Sequence, residues 1–545
     1  MEDDMLRAKL ESVRLTAEEK RVELLPFISS TVERAVIEPL LEVVGRTDFI
    51  VSSDSSCDPN VRCQHCDIFR ECATTAETDP LLPEVAERGK VSPEIAAKLF
   101  EAVFSHECSP RDHARWFSHA FLFYDFPSWG LLQLHSGPCG LLAAVQVWLL
   151  RWLWFGCEEQ CRLPSFHRGI AELATDEKWV TKLRLRPCVQ VVRHALIEAL
   201  VSILAQCKRS PHFVVCRVPP VDFVQDETAY RDNFEVEYTN LPTEEDARRF
   251  YALHSEQFLE SPTALLSFLI SVTLTTGITQ MREDMDCFGD GYLIRTFGHC
   301  SQEMVNLLLT GRAVSNIFNG SRQFLAESGR QEENLTGCFR KILASGIGRR
   351  TCVGLLADVE TQLLAEVGSY FKCPFFPLWV LAKASHYSTF LGVDLRLNDD
   401  FGVLHARDWG LKAFDQFDSA RSGMLGSDQV QLLINKLGLH TFDWGIVEDN
   451  LLLRSDFMNY CVRQHEITHP KQLTSLPPEE WDILLYDGLD QRHPLNRYRL
   501  RLSMCPDDRN VELGALVATR WADGVSVTFC GEAKSMEDMM LPPDL

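Results

Sequence analysis

Apolar residues recur at helical spacing between residues 5 and 47, as in Val22, Leu24, Leu25, Phe27 and Ile28 and again in Val36, Ile37, Leu40 and Leu41, with charges filling the gaps. That periodicity predicts a small helical N-terminal region. From Ser52 to Pro83 the chain turns to Ser, Asp, Thr and Pro, the composition of a loop or linker. A further helix is expected at about Pro93 to Phe104. Between Trp116 and Gly320 the pattern is mostly helical, with long amphipathic stretches at Val189 to Cys207 and Ala264 to Leu274 and a strand-like run at His212 to Val218. The apolar run Phe376 to Ala382 and the run Thr389 to Val393 predict a hairpin around His386, and Asp482 to Tyr486 and Glu512 to Thr519 predict later strands. Helices first and strands later describe an α+β fold. Residues 402–470 differ from their surroundings and read as a separate helical insert, which divides the chain into segments 1–110, 111–401, 402–470, 471–533 and an acidic, Met-bearing tail at 534–545.

Composition narrows the class. The chain has 545 residues, enough for two or three domains, because single cores rarely grow past about 300 residues. A formal charge of −23 argues against a nucleic-acid partner, since phosphate binding needs a concentrated basic surface. The start, Met1-Glu2-Asp3-Asp4-Met5, lacks the basic and apolar stretches of a secretory signal. The expected location is therefore the cytoplasm, with the nucleus also open to it. The most lipid-like stretch, Gly140 to Phe155, is shorter than the roughly 20 residues of a spanning helix and is interrupted by Gln146 and Arg151, so a buried helix and no membrane partner are expected. Nineteen cysteines spread through such a chain read as reduced thiols.

One of them has the surroundings of a nucleophile. In Gln133-Leu-His-Ser-Gly-Pro-Cys139, Gly137 and Pro138 end an extended segment, and Leu141 to Leu150 reads as a strong helix. Cys139 then falls at a helix N-terminus, where free amides and the macrodipole favour a thiolate. Gln133, six residues upstream at the spacing used by papain-like peptidases, could offer its amide beside the Cys139 N–H to an oxyanion. On these residues alone a buried, inert thiol accounts for Cys139 equally well. The base must be one of sixteen histidines. His135 is too close along the chain, whereas His386 sits at a rigid strand end, a position that a structural histidine could also occupy.

The segment Gly130-Leu-Leu-Gln-Leu-His-Ser-Gly-Pro-Cys-Gly-Leu-Leu-Ala-Ala-Val-Gln146 resembles the nucleophile segment of the MINDY deubiquitinases. Gly298 to Asn316 is similar to a long motif of that family's larger branch, Phe376 to Ser388 to its catalytic-histidine segment, and Leu485 to Leu489 to a late strand. The matches keep the family's order over residues 115–400 and 480–525, although the family often has Gly where this chain has Ser136. The resemblance implies a papain-like cysteine peptidase core of MINDY type, in two parts at 111–401 and 471–533, that hydrolyses isopeptide bonds in polyubiquitin of the proteasome-targeting lysine linkage. It assigns Cys139 as nucleophile, His386 as base and Gln133 as oxyanion residue, with ubiquitin chains as partners and no metal or organic cofactor. A third catalytic residue is left unassigned. Ser385, Ser388 and Asp487 could orient His386, but Asp487 is equally well explained as a turn former. In the Gly298 to Asn316 motif, only the polar positions are candidates for substrate contact.

Two side signals remain. Asp418 to Gln429 has the outline of an EF-hand loop, with Gly423 at its sixth position, but Ala420 and Gln429 stand where calcium needs oxygen ligands. The loop is expected to bind no calcium and to mark 402–470 as the EF-hand-like insert of the family branch. Cys57, Cys63, Cys66 and Cys72, with His65 among them, could supply a zinc site, but the spacing is not that of a standard knuckle and a Cys-bearing linker is expected. Sequons at Asn319 and Asn334 carry no meaning in a protein that is not secreted. The competing functions are an inactive ubiquitin-binding scaffold of the same fold and a calcium-responsive adaptor built on the insert.

Overall fold

The computed structural model describes residues 82–155, 187–221, 229–286, 291–327, 339–468, 480–502, 511–521 and 525–532, apart from positions 188, 363, 385, 393–394, 399, 419, 421, 440, 491 and 493. The helical region expected at 5–47, the cysteines at 57, 63, 66 and 72, Ser385, Asn334 and the tail at 534–545 lie outside the described residues.

The first half is helical. Helix α1 (Pro93–Val103) starts where the Ser92 hydroxyl accepts the Ile95 amide, and α2 (Pro110–Phe117) starts on a capping box between Ser109 and Asp112. Helix α3 (Cys139–Phe155) is buried along its whole length, which follows from a run in which nearly every residue is apolar. Its Arg151 is buried over the rings of Trp148 and Phe376. Helix α4 (Val189–Cys207) packs on α3, and α5 (Ala264–Thr276) packs on a three-stranded antiparallel sheet of Glu87–Lys90, Glu237–Leu241 and Phe213–Arg217.

The polar face expected on α5 is not in water. Ser267, Ser271 and Thr275, each four residues apart, accept the amides of Val218, Cys216 and Val214, so a hydroxyl ladder closes the open edge of the Phe213–Arg217 strand. Unpaired buried amides would each cost about 1–3 kcal/mol, which gives these serines and threonines their place in the core. Helix α6 (Gln302–Thr310) is capped by Ser301 and ends at Gly311 in the left-handed region.

The second half is built on a six-stranded sheet: β1 (Gly354–Ala357), β2 (Leu378–Ala382), β3 (Tyr387–Gly392), β4 (Glu480–Tyr486), β5 (Leu495–Leu502) and β6 (Val525–Glu532), arranged in space as β6-β5-β4-β3-β2-β1. β1 runs parallel to β2, and the other neighbours are antiparallel. Alternation along β2 sends Leu378 and Val380 to the core shared with α3, and Trp379 and Leu381 to a second cluster on the opposite face. The fold is thus mixed α+β.

That second cluster is closed by α10 (Val511–Trp521), where the sequence pattern predicts a strand at Glu512 to Thr519. Val, Thr and Leu suggest β-structure there, but Leu513, Leu516, Val517 and Arg520 are buried at spacings of three and four, the period of a helix. Arg520 is fully buried, with both terminal nitrogens 2.8 Å from Asp400 and a further bond to the Leu397 carbonyl, so its charge is compensated. Between β3 and β4 the chain forms α7 (Phe401–Asp415), α8 (Ser427–Leu437) and α9 (Arg454–Thr468), which share a separate apolar cluster of Phe414, Leu425, Leu433, Leu452 and Phe457. Among the described residues, no single helix is long and apolar enough to cross a membrane.

Candidate active site

Cys139 is the first residue of α3, and Leu142 donates its amide back to the Pro138 carbonyl, so the thiol sits in the opening turn. The approach requires Gly137. Its φ of 126° is one that L-residues rarely adopt, and a Cβ there would stand 2.9 Å from the Gly298 carbonyl oxygen. That carbonyl is itself held by the buried indole N–H of Trp116 at 2.9 Å. The Cys300 thiol donates to the Gly137 carbonyl at 3.3 Å, while Cys139 Sγ lies 3.8 Å from the same oxygen. Burial, reinforced by the neighbouring Cys139, pushes the Cys300 thiol pKa well up, so Cys300 stays protonated.

Gln133 is 2 % exposed and lines the same small cavity as Cys139 and Ser388. One Nε2 hydrogen is donated to the His135 carbonyl at 2.7 Å, which fixes the amide plane. The backbone around it is clamped from three directions. Gln146 of α3 accepts the Leu131 amide at 2.7 Å and donates to the Trp129 carbonyl. Tyr486 at the end of β4 donates to the Leu131 carbonyl, and the Gln133 amide reaches the Gly488 carbonyl. Fully buried His119 accepts the Leu134 amide on Nε2 at 3.0 Å and donates from Nδ1 to the Ala120 carbonyl. Burial pushes its pKa down to about 4, so the ring is neutral and can be that acceptor.

His386 sits in the β2–β3 turn, closed by the Lys383 amide on the His386 carbonyl at 2.9 Å. Thr389 of β3 pairs with Tyr486 of β4, and this register brings the turn to the end of the sheet from which residues 487–489 emerge. The His386 Nε2–H donates to Asp487 Oδ1 at 2.7 Å, and the same ring is hydrogen-bonded to Cys139. Burial alone would lower the His386 pKa, but the bonds and charges of Asp487 and Cys139 lift it to about 10. Burial would raise Asp487, yet the His386 contact and the amides of Leu489 and Asp490 hold it below the usual carboxylate range. The local arrangement is that of a protonated imidazole held by a carboxylate, with the Cys139 thiol on the same ring.

Asp487 therefore serves in both of the roles its sequence allows. Its Oδ1 accepts the Leu489 amide at 2.9 Å, which makes the turn, and the same oxygen receives His386. The turn signal Tyr486-Asp487-Gly488 was visible in the sequence, but its closeness to His386 depends on the strand register. Ser388 is buried at the cavity and Ser385 is outside the described residues.

Two polar positions of Gly298 to Asn316, Glu303 and Asn306, turn inward, while Arg312 is exposed. Asn306 is fully buried, donating to the Val314 and Asn316 carbonyls and accepting from Gln302, and Glu303 pairs with Arg295. These bonds brace α6 against α3, so Glu303 and Asn306 are spent internally. Asn319 is likewise spent internally, on Ser369, Asp408 and the Tyr370 amide. Between α7 and α8, Asp418 accepts the Ser422 and Gly423 amides at 2.9 and 2.7 Å, and Gln429 bonds the Phe417 carbonyl and the Gly426 amide. Among the described residues there is no group of three or more His, Cys, Asp or Glu side chains that could hold a metal.

A family model described as "Deubiquitinating enzyme MINDY-3/4, conserved domain" matches residues 101–415, more than half of the chain. The chain belongs to the MINDY-3/4 family. A mouse relative, "Probable ubiquitin carboxyl-terminal hydrolase MINDY-4", is 30% identical over 313 residues, covering 56% of this chain and 38% of its own. Human "Ubiquitin carboxyl-terminal hydrolase MINDY-3" is 28% identical over 318 residues, 56% of this chain and 66% of its own. Mouse MINDY-3 is 27% identical over 369 residues, 64% of this chain and 75% of its own. The match thus spans little more than a third of the mouse MINDY-4 length and about two thirds of human MINDY-3. No solved structure matches the chain. Gln133, Cys139 and His386 lie inside the MINDY-3/4 match, whereas Asp487 and strands β4 to β6 lie beyond it.

Proposed function

We propose that this chain is a cysteine-type deubiquitinase that hydrolyses isopeptide bonds in polyubiquitin of the proteasome-targeting lysine linkage, using a papain-like constellation. The observation that carries the reading is the run Asp487–His386–Cys139, in which a carboxylate and a thiol share one imidazole whose pKa is raised to about 10. In this reading Cys139 is the nucleophile and His386 the group that exchanges its proton.

The thiolate of Cys139 attacks the C-terminal carbonyl of the distal ubiquitin. The oxyanion is met by the Cys139 amide and by the second Nε2 hydrogen of Gln133, whose first hydrogen His135 already orients. His386 gives its proton to the departing lysine amine, then takes one from the water that cleaves the thioester. Asp487 keeps the ring oriented and charged through both steps. No group other than side chains and backbone is required.

The helices at 401–468 are read as a metal-free EF-hand-like pair. Gly423 at the sixth loop position has φ 74°, and Leu425 at the eighth pairs with Leu452 across the short strands Met424–Gly426 and Leu451–Leu453, as two EF-hand loops pair. The partners proposed are ubiquitin and its chains, not nucleic acid or membrane, and the site of action is the cytoplasm or nucleus.

The test is a ubiquitin probe carrying a C-terminal electrophile, run on the full chain beside Cys139→Ala, with tetraubiquitin of each defined linkage in parallel. A covalent adduct absent from the variant, and cleavage confined to one linkage, support the reading. No adduct and no cleavage of any chain would leave an inactive ubiquitin-binding scaffold.

A further inference from the structure

Beside the Gln133–Cys139 segment stands a turn that places a bulky residue in a conformation favouring glycine. Phe297 has φ 63° and ψ 15°, in the left-handed region, and its side chain is 44 % exposed. A bulky L-residue there carries a cost of about 1–2 kcal/mol. Glycine would relieve it, and a half-exposed ring returns little by burial.

The turn around it is firmly held. The Arg295 amide donates to the His299 carbonyl at 2.8 Å, the Gly298 amide to the Arg295 carbonyl at 3.0 Å, and the Ser301 amide to the Leu293 carbonyl at 2.9 Å. Arg115 Nη1 donates to the Phe297 carbonyl at 3.0 Å, and the Trp116 indole holds Gly298. The backbone is thus pinned on both sides of a half-exposed ring that meets the His299 ring edge-on, 6.4 Å between centroids. The location is equally specific. The Gly298 carbonyl is the atom that abuts Gly137, two residues before the nucleophile. Arg115, which holds the Phe297 carbonyl, also adds to burial in lowering the His135 pKa, so its charge reaches the segment carrying Gln133.

We infer that Phe297 is a substrate-contacting specificity residue: an aromatic wall for the extended C-terminal tail of ubiquitin, packing on the aliphatic and guanidinium side chains that precede its final two glycines. This rests on the deubiquitinase reading. An aromatic face accepts both kinds of side chain, the guanidinium through its charge and the aliphatic chain through contact. Rigidity of the turn keeps the ring in place before substrate arrives, so little ordering entropy is lost on binding.

Phe297→Gly separates this role from a structural one because it removes the ring and the strain together. The variant is expected to unfold at the same temperature as wild type or a higher one. Its Cys139 should react with iodoacetamide at the wild-type rate, since that small electrophile needs no docking. On tetraubiquitin of the preferred linkage, kcat/KM should fall at least tenfold, mostly through KM, and Phe297→Tyr should restore it. Wild-type kcat/KM in Phe297→Gly overturns the inference, as does an equal fall in the iodoacetamide rate. A wild-type enzyme that is inert towards ubiquitin overturns the functional reading, and this inference with it; an active wild type with an indifferent glycine variant overturns this inference alone.

Discussion

Two aspartates make turns in this chain and come to different ends. Asp418, between α7 and α8, accepts the Ser422 amide on one oxygen and the Gly423 amide on the other, takes the Ser422 hydroxyl as well, and has Arg454 3.9 Å away. Its hydrogen bonds all come from its own loop. Asp487, after β4, accepts the Leu489 amide in the same fashion but also meets His386, which comes from a different hairpin. Both carboxylates are held below their usual pKa. The difference lies in what the tertiary fold brings to the far side of the turn. A turn aspartate answered by its own loop and an arginine is a structural device; one answered by a histidine that also touches a thiol is a charge-holding device.

The largest expected break in this comparison is Asp487→Asn. The amide oxygen can still accept from Leu489, so the turn survives while the charge does not. Loss of a ring-orienting carboxylate should lower kcat on the order of 100-fold. The alkaline limb of the kcat/KM profile should also move to lower pH, because a carboxylate no longer holds the His386 proton. An unchanged alkaline limb would mean that Asp487 is a turn former only.

A smaller effect is expected at His119, which secures the backbone next to Gln133. His119→Gln keeps an acceptor near the Nε2 position, whereas His119→Phe removes it. The phenylalanine variant should lose about tenfold in kcat, a modest orientational penalty, with little change in KM. The glutamine variant should recover most of that loss. Equal defects in the two variants would show that the ring's volume matters and its acceptor does not.

Stability should vary with pH through His386. His386 has a folded pKa of about 10, above the ordinary value of roughly 6.5 expected in the unfolded chain. Its contribution to stability is therefore complete below about pH 6.5 and is lost as pH rises through about 10. Urea midpoints between pH 7 and 10 should fall for wild type, and less steeply for Asp487→Asn. A wild-type slope no steeper than the variant's would contradict the ion pair.

The smallest effect on function belongs to Asp418→Ala. Losing the loop's acceptors should cost about 1–2 kcal/mol in urea unfolding, the usual penalty for removing such a cap, while kcat/KM on polyubiquitin stays within twofold. A large loss of turnover would join the two aspartates in function and dissolve the contrast.

Local physics made parts of this molecule legible. Helix α3 beginning at Cys139 could be read from Gly137 and Pro138 followed by an unbroken apolar run, and the hairpin around His386 from two apolar stretches with a short polar gap. Helix α10 was hidden because Val, Leu and Thr carry both β-propensity and helical spacing, and only its packing against Trp379, Trp481 and Leu500 chooses between them. The polar face of α5 looked solvent-facing, since hydroxyls at every fourth residue suit water as well as a strand edge. The inward-turned Asn306 and Glu303 misled for the same reason: a polar side chain announces a hydrogen bond, but not with whom.

By itself the sequence determined the thiol's place at a helix start, the glycine that lets the chain arrive there, and the glutamine six residues before it, because each depends on neighbours along the chain. Family motifs named His386 as their partner. What only the tertiary structure decided is that His386 is held between Cys139 and Asp487. The pairing of β3 with β4 sets that meeting across about a hundred residues, and strand register is a property of two segments together.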